Sequence, residues 1–185
     1  MFSRALSLTN LAKTVSPRHG GTTFALTNDA FHALGPRVNA FLFSPQGAGC
    51  LRGLMQYHLV ANRTLYSDAL YEEHGKVDNF YSGHGKKRFS SVHVELPTMF
   101  KGQKVNVDVV RRGYGTELRV NGFYRVMAVD VLASDGVMHV LDEMIFPPRR
   151  VDGKVEGKIL QESVTVEMLK ERFGGCAGLD SRMEL

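Results

Sequence analysis

The sequence predicts an α+β domain, because its helical and strand patterns occupy different parts of the chain. Before residue 60, apolar residues recur at helical spacing. After residue 88 they alternate with polar residues, which is typical of strands buried on one face. The dipeptide Asn121-Gly122 separates two such segments, as in a tight antiparallel hairpin. Helices followed by a block of antiparallel strands favour α+β over a parallel sheet with alternating helices.

The first predicted element is an amphipathic helix, since Leu8, Leu11, Ala12 and Val15 fall at helical spacing. A second interpretation of this segment stays open. Three basic residues and several Ser and Thr precede the first acidic residue, Asp29, which is the composition of an organelle transit peptide. These basic residues are Arg4, Lys13 and Arg18. No uninterrupted apolar segment follows a basic start, so we do not expect a secretory signal peptide in this sequence.

Two further helices are predicted before the strands begin. The segment "TTFALTNDAFHAL" reads as a short strand followed by a helix, which Thr27 or Asn28 would cap with a side-chain oxygen. In "GAGCLRGLMQYHLV" the apolar positions lie at i, i+3, i+4 and i+7. They are Leu51, Leu54, Met55 and His58. The buried face of this helix is therefore expected to end on a histidine.

The strands follow from alternation. In "FSSVHVEL" the apolar side chains of Val92, Val94 and Leu96 would face inward, with His93 and Glu95 outward. In "KVNVDVV" the inward set is Val105, Val107 and Val109. Beyond the last strand we expect a polar linker, "RRVDGKVEGK", and a helix in "VTVEMLKERF" with helical spacing at Met168, Leu169 and Arg172.

Composition limits the classes of protein that this chain can be. Its 185 residues suit one domain, with 43% hydrophobic residues and no apolar run near the ~20 residues that cross a bilayer. A net charge of +4 is small, and the basic cluster around "GKKRF" has no nucleic-acid motif. We therefore interpret these basic residues as exposed loop charges rather than as a nucleic-acid-binding surface. The two cysteines, Cys50 and Cys176, lie among glycines, and one bridge between them is possible.

No catalytic motif is present in the sequence. It has no nucleophile elbow, Walker loop, dinucleotide glycine pattern or paired zinc histidines, so we expect no metal or cofactor. In "GVMHVLDEMIFPP" the strand period puts His139 on one face with Val137 and Leu141, which predicts a structural histidine bonded to two elements. A pocket that uses Tyr57, His58 and Asp130 as acid, base or orienter is the enzymatic alternative.

Four stretches resemble the fasciclin domain family in order and rough spacing. They are "TTFALTNDAF", "LMQYHLV", "VNG" and "GVMHVLDEMIFPP". The resemblance covers residues 1–148, is closest to fungal members, and leaves 149–185 as linker and C-terminal helix. It implies a β-wedge or sandwich of antiparallel strands flanked by helices, in a non-enzymatic adhesion protein of the cell surface, matrix or wall. Tyr57 and His58 match the tyrosine-histidine motif of the family and are the candidate binding motif.

Two functions from different classes therefore remain. The first is an adhesion or surface-interaction module with a protein or glycan partner, extracellular by resemblance, for which Asn62-Arg63-Thr64 is the one glycosylation sequon. The second is a small-molecule-binding or isomerase-like protein that reuses the fold, inside the cell if Met1 is the native start. An enclosed apolar cavity larger than ~300 Å³ would favour the second function, and a closed core would favour the first.

Overall fold

Seven strands form one mixed sheet that organises the structure. The computed structural model describes residues 1–12, 20–68, 70–71, 77–78, 89–100, 102–112, 115–133, 136–151 and 154–174. The strands of the sheet are β1 (Gly21–Leu26), β2 (Leu59–Ala61), β5 (Phe89–Pro97), β6 (Lys104–Arg112), β7 (Gly115–Val120), β8 (Tyr124–Ala133) and β9 (Gly136–Leu141). Two short hairpins lie outside it: β3 (Leu70–Tyr71) with β4 (Val77–Asp78), and β10 (Arg150–Val151) with β11 (Lys154–Val155).

Five α-helices accompany the sheet in the described part of the chain. They are α1 (Phe2–Leu8), α2 (Asn28–His32), α3 (Gly35–Leu42), α4 (Ala48–Tyr57) and α5 (Val166–Arg172), with 3-10 turns at Pro45–Gly47 and Gln161–Ser163. Of the two caps predicted for α2, Thr27 and Asn28, the structure uses Thr27, whose hydroxyl accepts a hydrogen bond from the amide of Ala30 at 3.3 Å. The α+β class predicted from the sequence is thereby confirmed.

The sheet runs in the order β2-β1-β9-β8-β7-β6-β5. Every pairing is antiparallel except that of β1 with β9, which is parallel. The sequence suggested antiparallel pairing because its hairpin signals are local. β1 and β9 lie far apart in sequence, so no tight turn fixes their relative direction.

The alternation predicted for the central strands is confirmed. Val105, Val107 and Val109 of β6 are buried, as are Val94 and Leu96 of β5. The Asn121-Gly122 turn joins β7 to β8 with φ angles of +50° and +76°. Both turn residues need positive φ in the hairpin turn that matches strand twist, which is why Asn-Gly marks it in the sequence.

The N-terminal helix is shorter than its spacing predicted. α1 ends at Leu8, which is 56% exposed, and Asn10 turns the chain with a φ of +57°. The Thr9 hydroxyl donates to the carbonyl of Ala5 at 2.8 Å, a local bond that competes with continuation of the helix. Leu11 is buried beyond the helix end, and Val15 lies outside the described residues. The helical interpretation was therefore wrong for Leu11 and Ala12.

The C-terminal helix packs on the same core as the rest of the structure. Leu169 and Phe173 are buried, and a Cβ placed on Gly53 of α4 would lie 2.8 Å from the Phe173 ring. The absence of a side chain on Gly53 thus lets α5 approach α4 closely. The segment predicted as a polar linker contains the β10–β11 hairpin, in which Arg150 pairs with Val155.

Candidate functional site

Tyr57 lies at the last position of α4 with its ring fully buried. Its hydroxyl accepts a hydrogen bond from Asn121 Nδ2 at 3.0 Å and donates one to the carbonyl oxygen of Lys104 at 3.2 Å. Burial raises the pKa of Tyr57 to about 12, although the bond from Asn121 acts in the opposite direction. The tyrosine therefore joins α4 to β6 and to the β7–β8 turn as a neutral phenol.

His58 follows directly as the C-cap of α4 and is also fully buried. Its Nδ1 lies 2.8 Å from the carbonyl oxygen of Leu54, to which it donates, and its Nε2 accepts from the amide of Ile145 at 3.4 Å. Burial lowers the pKa of His58 to about 4. Both ring nitrogens of the neutral imidazole are thus engaged, and neither is directed at solvent.

His139 forms a second buried polar cluster, with Asp130 and Ser67. Nε2 of His139 donates to the carbonyl of Leu65 at 2.8 Å, and Nδ1 accepts from the backbone amide of Asp130 at 3.3 Å. The Asp130 carboxylate accepts from the Ser67 amide at 2.9 Å and from its hydroxyl. Burial lowers the pKa of His139, so the imidazole stays neutral.

The structure does not bring the three residues of the enzymatic alternative together in one hydrogen-bonded group. Asp130 bonds to Ser67 and His139, whereas Tyr57 and His58 bond to other partners. The serine hydroxyl donates to the carboxylate rather than to an imidazole, so this cluster also lacks the geometry that activates a serine nucleophile. Among the described residues, no group of three His, Cys, Asp or Glu side chains is placed to hold a metal ion.

Asn62, the predicted glycosylation acceptor, is exposed in a bend directly after β2, with a φ of +60°. Cys50 is buried in α4 and is disulfide-bonded. The other cysteine of the sequence, Cys176, lies outside the described residues.

A cavity of about 530 Å³ lies between α1 and the β2-β1-β9 side of the sheet. Its wall includes four small residues on neighbouring strands: Ala61 pairs with Gly21, and Gly136 pairs with Ala133. A Cβ placed on Gly136 would lie 2.4 Å from the carbonyl oxygen of Gly21, so the two backbones approach closely here. None of the described lining residues carries a charged side chain, and the Met1 ammonium in the lining donates to Asn28 Oδ1 at 2.6 Å.

Sequence reasoning missed this cavity. The glycine, alanine, serine and threonine residues of the wall form no sequence motif. Whether they line a cavity depends on the register between strands that are distant in the chain. The four small residues could have been noticed individually, but only the parallel pairing of β1 with β9 brings them to one wall.

The structure is an α+β domain in which Tyr57 and His58 are buried with their polar atoms hydrogen-bonded. Residues 1–147 match the family model described as Fasciclin domain, and the chain belongs to the fasciclin domain family. Membership of this family supports an adhesion or interaction module of the fasciclin type. Domains of this family are generally extracellular or surface-associated. Within the described residues, no helix has the length and hydropathy needed to span a bilayer.

Known proteins similar to this chain come from a fungus, a cyanobacterium and an insect. The fungal protein is "Aurofusarin biosynthesis cluster protein S" of Gibberella zeae, 32% identical over 80% of this chain and 39% of its own length. "Protein sll1483" of Synechocystis is 28% identical over 78% of this chain and 64% of its own length. The chain thus spans less than two thirds of either relative. A solved FAS1 domain pair of the insect cell adhesion molecule fasciclin I matches 78% of this chain and 43% of that one, with a TM-score of 0.55 and 16% identity.

Proposed function

We propose that this chain is a non-enzymatic interaction module that acts outside the cell and binds a protein partner through β8. The observation that carries the proposal is a line of exposed apolar side chains on that strand. Within the described residues, eight large apolar side chains are exposed; three of them, Met127, Val131 and Leu132, lie on β8, and a fourth, Phe123, lies in the turn directly before it. Exposed apolar surface concentrated in one place is typical of sites of protein–protein contact.

The path of β8 explains how these side chains reach solvent. β8 pairs with β7 near its start, at Tyr124 and Arg125, and its remainder pairs with β9. Register shifts interrupt that pairing between Val126 and Ala128 and again before Val131. Such bulges break the alternation of a strand. Met127 and Ala128 are therefore both exposed, as are Val131 and Leu132.

The buried clusters support binding rather than catalysis. General acid–base chemistry needs a titratable group within reach of a substrate and with a pKa near the working pH. His58 is fully buried with both ring nitrogens bonded, and burial holds its pKa at about 4. His139 is buried and bonded on both nitrogens in the same way. His139 instead helps to hold the proposed surface in place, because its hydrogen bond with the amide of Asp130 joins β9 to β8.

Two features support a location outside the cell. Cys50 is disulfide-bonded, and disulfides persist mainly in oxidising compartments. Asn62 is exposed in a bend, which is the setting that a glycosylation sequon needs. If the protein is secreted by a eukaryotic host, intact-mass measurement should show glycan on the wild type and none on Asn62→Gln. An unmodified secreted wild type would remove this support.

An adhesion assay tests the proposed surface. Cells of the source organism are added to wells coated with wild-type protein or with the double variant Met127→Ser and Leu132→Ser. The two residues are 61% and 80% exposed, so both changes remove apolar surface without opening the core. Leu160→Ser is the matched control, because Leu160 is 57% exposed and is not part of β8. We expect the double variant to lose attachment and the control to keep it.

The same assay separates the two classes of partner. Protease treatment of the cells should abolish attachment, and glycosidase treatment should leave it unchanged. The reverse result would assign the partner to the wall or matrix glycans and would contradict the protein partner proposed here. Equal attachment to the wild type and to the double variant would show that β8 is not the binding surface.

Binding of a small molecule is a second candidate function, which the cavity beneath α1 favours. Its volume of about 530 Å³ lies within the ~300–1,000 Å³ range of small-molecule sites. The fungal relative is named as a protein of a biosynthesis cluster, which supports the same direction. Thermal melts in the presence of candidate compounds test this function, because a ligand that binds only the folded state raises the melting temperature. If no compound raises the melting temperature and the protein still mediates adhesion, the small-molecule function is rejected and the interaction module is retained.

A further inference from the structure

We infer that the cavity between α1 and the sheet is a binding site for a neutral, largely apolar small molecule, with Thr23 at the centre of its wall. This inference specifies the ligand class and the site of the second candidate function. It does not depend on the surface proposed for β8.

The lining explains why the ligand should be uncharged. Methionine, leucine, phenylalanine, valine, alanine and glycine make up most of the wall, with serine, threonine and asparagine as its polar members. Among the described residues, no Asp, Glu, Lys, Arg or His side chain lines the cavity, and the ammonium group of Met1 in the lining donates to Asn28 Oδ1 at 2.6 Å. A charged ligand buried there would exchange its hydration for a mostly apolar wall, whose one ammonium group is already bonded to Asn28, and this exchange is unfavourable. A neutral ligand would lose little and would gain apolar burial.

The register of the sheet places Thr23 in the middle of this wall. Thr23 pairs with Leu59 on β2 and with Met138 on β9, and all three residues line the cavity. Residues paired across neighbouring strands have side chains on the same face, so Thr23 faces the same space as Leu59 and Met138. Within the described part of the chain, the Thr23 hydroxyl bonds to no other group. It is therefore available to a hydroxyl or carbonyl group of the ligand.

The adjacent threonine shows that this availability is specific to Thr23. The hydroxyl of Thr22 donates to the carbonyl of Arg63 at 2.8 Å and accepts from the amide of Leu65 at 2.9 Å. Thr22 is thus committed to holding the chain after β2, whereas Thr23 on the opposite face is not. Thr23 combines a position on the wall with an unused hydrogen-bonding group.

The small residues beside Thr23 leave the volume in which a ligand fits. Gly21 and Gly136 contribute no side chain, and Ala61 and Ala133 contribute one methyl group each. Phe2 and Leu6 of α1 form part of the opposite wall. Protein interiors are otherwise close-packed, so a space of this size at a helix–sheet contact is what a bound apolar molecule requires.

Fluorescence titration with N-phenyl-1-naphthylamine tests the site, because this uncharged probe brightens in apolar surroundings. We expect saturable binding to the wild type. Thr23→Phe should weaken it at least about tenfold, because the larger ring occupies the space of the probe. Thr116→Phe is the matched control on β7, away from the cavity, and should bind within about twofold of the wild type. An anionic naphthalene sulfonate should bind at least about tenfold more weakly than the uncharged probe.

Several outcomes would overturn the inference. They are no saturable binding to the wild type, unchanged binding to a folded Thr23→Phe, and equal binding of the anionic probe. Circular dichroism and thermal melts establish that Thr23→Phe is folded; if it is not, Thr23→Met fills part of the same space and replaces it. The β8 variant with Met127→Ser and Leu132→Ser should bind the probe like the wild type, so failure of the surface proposal and failure of the cavity site are distinguishable.

Discussion

The junction of α4 with β2 and the cavity beneath α1 are built on opposite principles. At the junction, the polar atoms of Tyr57 and His58 are buried and hydrogen-bonded, and three of their four bonds reach distant parts of the chain. At the cavity, the Thr23 hydroxyl bonds to no group among the described residues, and small side chains leave about 530 Å³ of space. The tyrosine and histidine that could carry chemistry thus have their hydrogen-bonding atoms engaged within the protein. The space for a ligand lies instead among small and apolar residues.

The largest expected effect that tests this comparison comes from Tyr57. Tyr57→Ala empties a fully buried site and should lower the free energy of unfolding by ~3–5 kcal/mol. Tyr57→Phe keeps the ring and removes only the hydroxyl, which leaves Asn121 Nδ2 and the Lys104 carbonyl without that partner, so it should cost ~1–2 kcal/mol. Urea denaturation measures both. A wild-type midpoint for Tyr57→Ala together with lost adhesion would make Tyr57 a binding residue instead.

Acid should destabilise the junction by a comparable amount. His58 has a pKa of about 4 in the folded state against 6.5 when unfolded, so the unfolded state binds more protons between these values. Its contribution is therefore full above pH 6.5 and declines as pH falls towards 4, with a loss of about 3 kcal/mol. His139, whose pKa is also lowered, acts with the same sign.

Denaturant titrations at a series of pH values between 7 and 4 measure this decline. His58→Gln should be less stable at pH 7 and should show a shallower dependence, since one of the two histidines no longer titrates. A free energy of unfolding that stays constant over this range would contradict the buried neutral imidazole.

A smaller effect is expected at the cluster that fixes β8. Asp130→Ala removes the acceptor of the Ser67 amide and hydroxyl and should cost ~1–3 kcal/mol. Asp130 also has a φ of +54°, a conformation that alanine tolerates poorly. Asp130→Gly removes the carboxylate but suits that backbone, so the difference between the two variants in thermal melts isolates the backbone contribution. Equal stability of Asp130→Ala and the wild type would show that the cluster does not hold the strand.

Most of the fold follows from local signals, whereas the cavity does not. The β7–β8 hairpin, the alternation of β6 and the Thr27 cap each depend on residues close in sequence, and each was predictable. The burial of His139 on the face of Val137 and Leu141 also follows from strand period. The end of α1 was not predictable from spacing, because Thr9 and Asn10 stop the helix by local bonds and positive φ. The cavity needs the parallel β1–β9 register, which no local pattern encodes.

The smallest expected effect gives the sharpest form of the comparison, because it uses two consecutive threonines of β1. Thr23→Val replaces a hydroxyl that bonds to no group among the described residues by a methyl group of the same shape, so the free energy of unfolding should change by less than ~0.5 kcal/mol. Thr22→Val makes the same chemical change but leaves the Leu65 amide without its acceptor and the Arg63 carbonyl without its donor, so it should cost ~1–3 kcal/mol. Both substitutions keep a β-branched side chain, so strand propensity is the same in the two variants. Denaturation of the pair under one set of conditions measures the difference directly. Equal losses of unfolding free energy in the two variants would mean that the Thr23 hydroxyl is already hydrogen-bonded in the folded protein. The cavity wall would then be like the α4–β2 junction, where the polar atoms of Tyr57 and His58 are bonded.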